Sequence, residues 1–321
     1  MKKNIFLFCF SGLNLLFLMS TNACSTNENT NGNQVNNTSD SDSVEIGLLQ
    51  KYPTEDEIKI ISFNVRCETS ESDTLHNWKY RKDACVDMIK DQKPTLIGFQ
   101  EAVYSSQWSY LKEHLANDYD GFGVGRDDGA EKGECMGILY RKDIIEKIKG
   151  GTFWLSETPD QPSIGFGAIC FRCATWGIFK YKPTSQYFLY MNTHLAYTPD
   201  SKSLDRANKT RSEEMRVVMS KMKEYNPNGY PQFLTGDFNN VSDDTIFNKI
   251  KTIMFDARDQ VAKSDNYNSF NAWGNLIGYG LIDHVFYSKS LKAIEFHTII
   301  ESYDSCPYLS DHYPVYAIIK F

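Results

Sequence analysis

The sequence predicts an α/β chain built as two packed, largely mixed β-sheets flanked by helices, and three observations carry that prediction. Eleven short apolar, β-rich segments outnumber three helical stretches, and the two kinds do not alternate strictly, which argues against a doubly wound parallel sheet. Neither an internal repeat nor a Pro- or Gly-rich linker divides residues 55–321, so a single domain is expected there. Finally, five apolar runs end on oxygen-bearing or imidazole side chains. Ile58–Phe63 leads into Asn64, Thr95–Phe99 into Gln100-Glu101, and Tyr187–Met191 into Asn192-Thr193-His194. Gln232–Leu234 leads into Gly236-Asp237-Phe238-Asn239, and Ser310-Asp311-His312 precedes Pro314–Ile319. Buried strands that finish in polar residues bring those residues to one rim, where α/β proteins bind ligands.

In chain order, strands are expected near 58–64, 95–99, 119–125, 135–140, 144–155, 169–179, 186–193, 232–236, 281–287, 293–300 and 314–320. Asn77 is placed to cap a helix over 78–91, whose apolar stripe holds Trp78, Cys85, Met88 and Ile89. A second helix is expected over about 105–116. A third spans 203–224, where Leu204, Ala207, Met215, Val218 and Met222 recur at intervals of three and four. Arg81 and Arg211 fall on two of these stripes. They either brace the polar rim from behind or snorkel at the stripe's edge; a buried arginine needs acceptors.

The N-terminal stretch reads differently. Lys2-Lys3 precede apolar Ile5–Met19, the layout of an export signal over residues 1–24. Ser11, Gly12 and Asn14 interrupt it, making it poor as a permanent span. The segment Ser20-Thr21-Asn22-Ala23-Cys24 resembles a bacterial lipoprotein cleavage site, with Cys24 the lipidated anchor. Residues 25–54, polar through most of their length, are expected to form a flexible tether. The expected location is therefore outside the cytosol on a bacterial membrane, periplasmic or cell-surface.

Composition narrows function. The 321 residues are 41% hydrophobic and 14% aromatic, enough for a sizeable core, with a formal net charge of −7. An acidic surface repels polyanions, so a broad nucleic-acid binder is disfavoured while a local phosphate grip is not excluded. No obligate protein partner is evident. Cys170-Phe-Arg-Cys173 has the spacing of a metal or redox pair but lies in a strand-like run without a second pair, so buried thiols are expected.

The chemistry rests on the rim. A lone Glu101 at a strand end is ordinarily a solvated loop residue, and Gly236-Asp237-Phe238-Asn239 an ordinary Asx turn. Their company with Asn64, Asp283 and Asp311 favours chemistry. Hard cations such as Mg2+ or Mn2+ take carboxylates, an amide oxygen and waters, which Glu101, Asp311 and Asn64 would supply. Asp283-His284 and Asp311-His312 invite carboxylate–imidazole pairing, which keeps a histidine oriented and easily protonated. His194 offers a second donor, while His76, His114 and His297 read as structural. Arg172 either grips a phosphate or forms a cross-strand ion pair. Trp154, Trp273 and Tyr279 either stack on a base or sugar or belong to the core.

Six ordered motifs then resemble the endonuclease/exonuclease/phosphatase superfamily, with its deoxyribonuclease-I-like fold. They are Ile61-Ser-Phe-Asn64-Val-Arg66, Gly98-Phe-Gln-Glu101, Asn192-Thr-His194-Leu, Gly236-Asp237-Phe-Asn239, Leu281-Ile-Asp283-His-Val-Phe and Ser310-Asp311-His312-Tyr-Pro. Thr152-Phe-Trp-Leu-Ser-Glu157-Thr-Pro is similar to a segment of a bacterial branch. The resemblance implies a four-layered α/β/β/α sandwich and Mg2+- or Mn2+-dependent phosphoester hydrolysis. It implies that Asn64, Glu101 and Asp311 hold the metal and that Asp237 orients or deprotonates the attacking water. Asn239 and His194 would contact the phosphate, and His312, oriented by Asp283, would stabilise the transition state. The expected substrate is a small phosphorylated molecule or lipid head group. The alternatives are an extracellular nuclease, or a non-catalytic binding module on the same fold.

Overall fold

A computed structural model describes residues 53–68, 74–197, 203–242, 244–261, 264–265, 267–275 and 280–321. The export signal with Cys24, nearly all of the tether and Tyr279 lie outside the described residues. The chain opens with β1 (Glu57–Asn64), α1 (Trp78–Gln92), β2 (Leu96–Gln100), β3 (Ala102–Val103) and α2 (Ser109–His114). It continues through β4 (Tyr119–Phe122), β5 (Glu134–Cys135), β6 (Ile138–Arg141), β7 (Ile145–Trp154), β8 (Cys173–Tyr181) and β9 (Gln186–His194). Then come α3 (Leu204–Tyr225), β10 (Gln232–Asp237), β11 (Met254–Asp256), α4 (Ala257–Gln260), β12 (Asp283–Ser288), β13 (Lys292–Thr298) and β14 (Val315–Lys320).

These strands form two six-stranded sheets, β13-β14-β1-β2-β6-β4 and β11-β12-β10-β9-β8-β7, plus the small pair β3-β5. Both large sheets are mixed: β1 runs parallel to β2 and antiparallel to β14, and β10 parallel to β9 and antiparallel to β12. Alternation of side chains makes the layers. Ile58, Ile60 and Leu96 meet Phe188, Tyr190, Phe233, Val285 and Tyr287 between the sheets. On the other face of the first sheet, Ile61, Phe63, Ile97 and Phe99 pack on Trp78, Cys85, Met88 and Ile89 of α1. On the other face of the second, Leu189, Met191, Leu234 and Phe286 pack on Met215, Val218 and Met222 of α3. The result is the four-layered α/β/β/α sandwich that the resemblance implied.

Several boundaries differ from expectation. The strand expected over 135–140 breaks at Gly137, where a Cβ would lie 2.4 Å from the Trp108 ring. The run 169–179 becomes strand only at Cys173, because its ladder partner β7 ends opposite it at Trp154. The helix expected over 105–116 opens as a wide π-type turn, Tyr104–Trp108, before α2. As expected, Asn77 caps α1, its side chain accepting from Lys79 N.

Polar contacts fix how the sheets face one another just below the rim. Asn192 Oδ1 accepts from Gln100 Nε2 (2.7 Å) and Thr235 Oγ1 (3.1 Å), and Asn192 Nδ2 donates to the Phe99 carbonyl (2.7 Å). Such a network helps specify register, although Gln100 Oε1 is buried without a partner. Gly98 makes it possible, since a Cβ there would sit 2.4 Å from Asn192 Oδ1. Gly98→Ala is therefore expected to destabilise the fold by about 2–4 kcal/mol, the scale of overpacking plus a broken buried network. A melting temperature within a degree of the parent would contradict this.

Candidate active site

The alternation that builds the core also delivers the rim. Ile58, Ile60 and Ser62 face the second sheet, so Asn64, two residues further on β1, does too. By the same parity Gln100 on β2, His194 on β9, Asp237 on β10 and Asp283 on β12 end inward-facing rows. The registers line them up, with Asn64 opposite Gln100 and Asp237 between His194 and Asp283. Asp311 and His312 arrive in the segment just before β14, fastened where the Asp311 carbonyl accepts from Asn271 N (2.8 Å) and Ala272 N (3.1 Å).

Asp237 is the centre. Its Oδ1 accepts from Asn239 N at 2.9 Å and its Oδ2 from Asn64 Nδ2 at 3.0 Å. His194 Nε2 lies 3.4 Å and His312 Nε2 3.8 Å from Oδ2. Burial and the neighbouring Asp283 carboxylate push the Asp237 carboxyl up to about 7, the range of a general base at neutral pH. Burial opposes charge on His312, but Asp283, bonded at 2.8 Å through Oδ2 to Nδ1, outweighs it and lifts the imidazole to about 10. His312 is thus an imidazolium whose Nε2 faces the rim. His194 is driven the other way, well below the usual histidine range, by burial and by Arg172. As a neutral ring it receives Asn239 Nδ2 at 3.2 Å, and the same amide donates to the Leu195 carbonyl (3.1 Å).

Glu101 holds a left-handed backbone, φ 60°. Its Oε1 accepts from Asn64 Nδ2 (3.1 Å) and its Oε2 from Cys67 N (3.0 Å). Burial raises this carboxyl, yet Arg66 above all, with the Cys67 N–H, holds it below the usual range, so it is ionised. Asp311 comes into the same group through Arg66, whose Nη1 stands 3.6 Å from Asp311 Oδ2 and 3.9 Å from Glu101 Oε2. Ligand atoms of Glu101, His194 and Asp237, and again of Asp237, Asp283 and His312, lie within 4.8 Å of one another. Two carboxylates flanking one cationic atom are a donor set suited to a hard divalent ion. Asn64 is itself fastened by protein groups. Its amide oxygen accepts from Arg66 N at 2.9 Å while its nitrogen bridges Glu101 and Asp237. Turning that amide over would break all three bonds, so Asn64 aligns the two carboxylates of Glu101 and Asp237.

Other expectations resolve by position. Arg81 is fully buried rather than snorkelling. It donates to the carbonyls of Val65 (2.9 Å), His76 (2.8 Å) and Leu309, tying the exit of β1 to the Asp311 segment. Arg211 donates to the Ala196 carbonyl (2.9 Å) and Asn208 Oδ1 (2.6 Å), fastening α3 to the chain leaving His194. Arg172 precedes β8, is buried, and makes no cross-strand ion pair among the described residues. His284 does not pair with Asp283: it bonds Asp256 Oδ2 (2.7 Å) and the Asn240 carbonyl (2.8 Å) on the far face of the sheet. Trp154 is core, its indole N–H donating to the Arg126 carbonyl, and Trp273 stacks on His76. Cys170 and Cys173 are free thiols, Cys173 buried and Cys170 half-buried. Sequence reading passed over Arg66, Gln107 and Glu214. Gln107 receives Glu68 N and donates to the Arg66 carbonyl, and Glu214 receives Ala196 N. Only the quoted motif around Asn64 pointed at Arg66.

Comparison with known proteins agrees with this fold. The sequence pattern of the Endonuclease/Exonuclease/phosphatase family matches residues 61–312. The chain is similar to the crystal structure of an endonuclease/exonuclease/phosphatase from Bacteroides vulgatus, with TM-score 0.74 and 31% identity over 83% of this chain and 99% of that one. It is also similar to a mannosyl-6-phosphatase of Bacteroides thetaiotaomicron, with TM-score 0.73 and 32% identity over 82% of this chain and all of that one (100%). A viral relative, uncharacterized protein L388 of Acanthamoeba polyphaga mimivirus, is 25% identical over 292 residues, 82% of this chain and 100% of that protein. The chain belongs to the endonuclease/exonuclease/phosphatase family.

Proposed function

We propose that this phosphoester hydrolase depends on a divalent cation, Mg2+ or Mn2+, and acts outside the cytosol on a small phosphorylated molecule. The observation that carries the reading is the Asn64 amide bridging Glu101 and Asp237, with the Asp283–His312 pair alongside. An ionised Glu101, an Asp237 carboxyl raised to about 7 and a charged His312 round one rim support it. Glu101 and Asp311 would hold the cation, which when bound supplies a Lewis acid for a phosphoryl oxygen. Asp237, aligned by Asn64 and Asn239, takes the proton of the attacking water. His312, kept charged by Asp283, donates from Nε2 to the developing negative charge on the phosphoryl group. Arg172 would steady the remaining phosphate oxygens, joined by Asn239 once one amide N–H turns from His194 Nε2, and Arg81 and Arg211 would hold the two flanking segments in place.

The net charge of −7 disfavours long polyanions as substrates, and likeness at 32% identity to a mannosyl-6-phosphatase supports a sugar phosphate or similar monoester. The export layout of residues 1–24, with Cys24 as lipid anchor, supports a membrane-tethered location. Assaying the purified chain against sugar phosphates, bis-p-nitrophenyl phosphate, sphingomyelin, RNA and plasmid DNA tests the ranking. Sugar phosphates are expected to turn over fastest, and preference for plasmid DNA would overturn it. Chelation with EDTA is expected to abolish turnover and added Mg2+ or Mn2+ to restore it. Full activity in EDTA would refute the cation dependence.

A further inference from the structure

Arg66 follows β1 with its backbone in the left-handed region, φ 56°. A side chain tolerates that conformation only when its surroundings enforce it. Here the Arg66 N–H donates to Asn64 Oδ1 (2.9 Å), and its carbonyl accepts from Gln107 Nε2 (2.8 Å) and Arg81 Nη2 (3.4 Å). The pinned backbone aims the guanidinium at Glu101 and Asp311, with Nη1 at 3.9 Å and 3.6 Å from their oxygens. Both separations exceed hydrogen-bonding distance, so the attraction to these two carboxylates is one of charge.

We propose that Arg66 and a divalent cation compete for the Glu101–Asp311 pair, so that cation entry turns the guanidinium away from these carboxylates and onto the substrate's phosphate. The inference rests on the cation-dependent reading above and adds a coupling to it. A guanidinium and a divalent ion within a few ångströms repel in a site sheltered from water. A phosphate relieves the repulsion by accepting the guanidinium. Linkage then requires that phosphate tighten the cation by the factor with which the cation tightens phosphate. At 18% exposure the Arg66 side chain already stands at the rim.

The test is calorimetric titration of Mn2+ into the full chain and into Arg66→Gln and Arg66→Lys, with and without inorganic sulfate as the phosphate probe. Arg66→Gln is expected to bind Mn2+ at least about tenfold tighter in sulfate-free buffer, the scale of removing one like charge at short range. It is also expected to lose the tightening by sulfate that the parent shows. Arg66→Lys keeps the charge and is expected to stay weak and, should the Gln variant not fold, provides the comparison through its response to sulfate. Equal or weaker Mn2+ binding by Arg66→Gln, or a sulfate response in the parent that is absent, overturns the role of Arg66 alone. A parent chain that takes up no Mn2+ overturns the cation-dependent reading and this inference together.

Discussion

Asp237→Asn is expected to lower turnover by at least about a hundredfold while raising the melting temperature, the loss being that of one group acting in the transition state. The two effects share a cause. Burial and Asp283 lift the Asp237 carboxyl from its ordinary 3.8 to about 7. Below the ordinary value both folded and unfolded chains hold the proton, so the group is neutral for stability. Between it and about 7 the unfolded chain releases the proton and the folded chain keeps it, and folding loses stability as pH rises. Above that window the full penalty of a buried charge remains. Asparagine retains the acceptor for Asn239 N but carries no charge, so the charge penalty vanishes together with the base, offset in part where its Nδ2 meets the Asn64 Nδ2 donor. Turnover of the parent should rise with pH as Asp237 ionises, through about 7 or lower once a cation sits nearby. A variant that keeps near-normal turnover, or one that melts well below the parent, contradicts this account of Asp237.

His312→Gln is expected to slow turnover by a similar factor, at least about a hundredfold, but to move stability in the opposite direction. Asp283 raises this imidazole from 6.5 to about 10 against the effect of burial. For a group raised in the folded state, the stabilisation is complete below the unfolded value and is lost as pH climbs through the folded one. Below about pH 6.5 the parent should therefore exceed the variant most in stability, the gap closing as pH climbs towards about 10. Turnover of the parent should fall only as pH passes through about 10, where the folded chain loses the proton donor. A pH–rate profile without that falling limb would show that His312 acts in neutral form. Opposite stability shifts with equal loss of rate separate a base from an acid in a way that activity alone does not.

Much of this was legible before any coordinates. β1, β2, β9 and β10 read as strands because their apolar runs are short, β-rich and bounded by polar residues. The alternation of Ile58, Ile60 and Ser62, or of Phe233 and Thr235, already sends Asn64 and Asp237 to the face they occupy. What escaped obeys the same physics. Asp283 and His284 are neighbours in sequence, and neighbours on a strand point to opposite faces. Asp283 accordingly turns inward to His312, while His284 turns outward to Asp256. Two- and three-residue strands such as β3 and β11 carry no periodic signal to detect. The end of β8 at Cys173, and with it the position of Arg172, depends on where β7 stops, which local pattern does not encode. The Asn64 amide orientation depends on three partners, Arg66, Glu101 and Asp237, two of them distant in sequence.

Anomalous diffraction from crystals of residues 55–321 soaked in Mn2+ most directly tests whether strand ends assemble a cation and a base at one rim. The account predicts an ion bound by the Glu101 and Asp311 carboxylates, with Asp237 beside it still held by Asn64 and Asn239. Mn2+ bound elsewhere, with these two carboxylates left in contact only with protein groups, would contradict it.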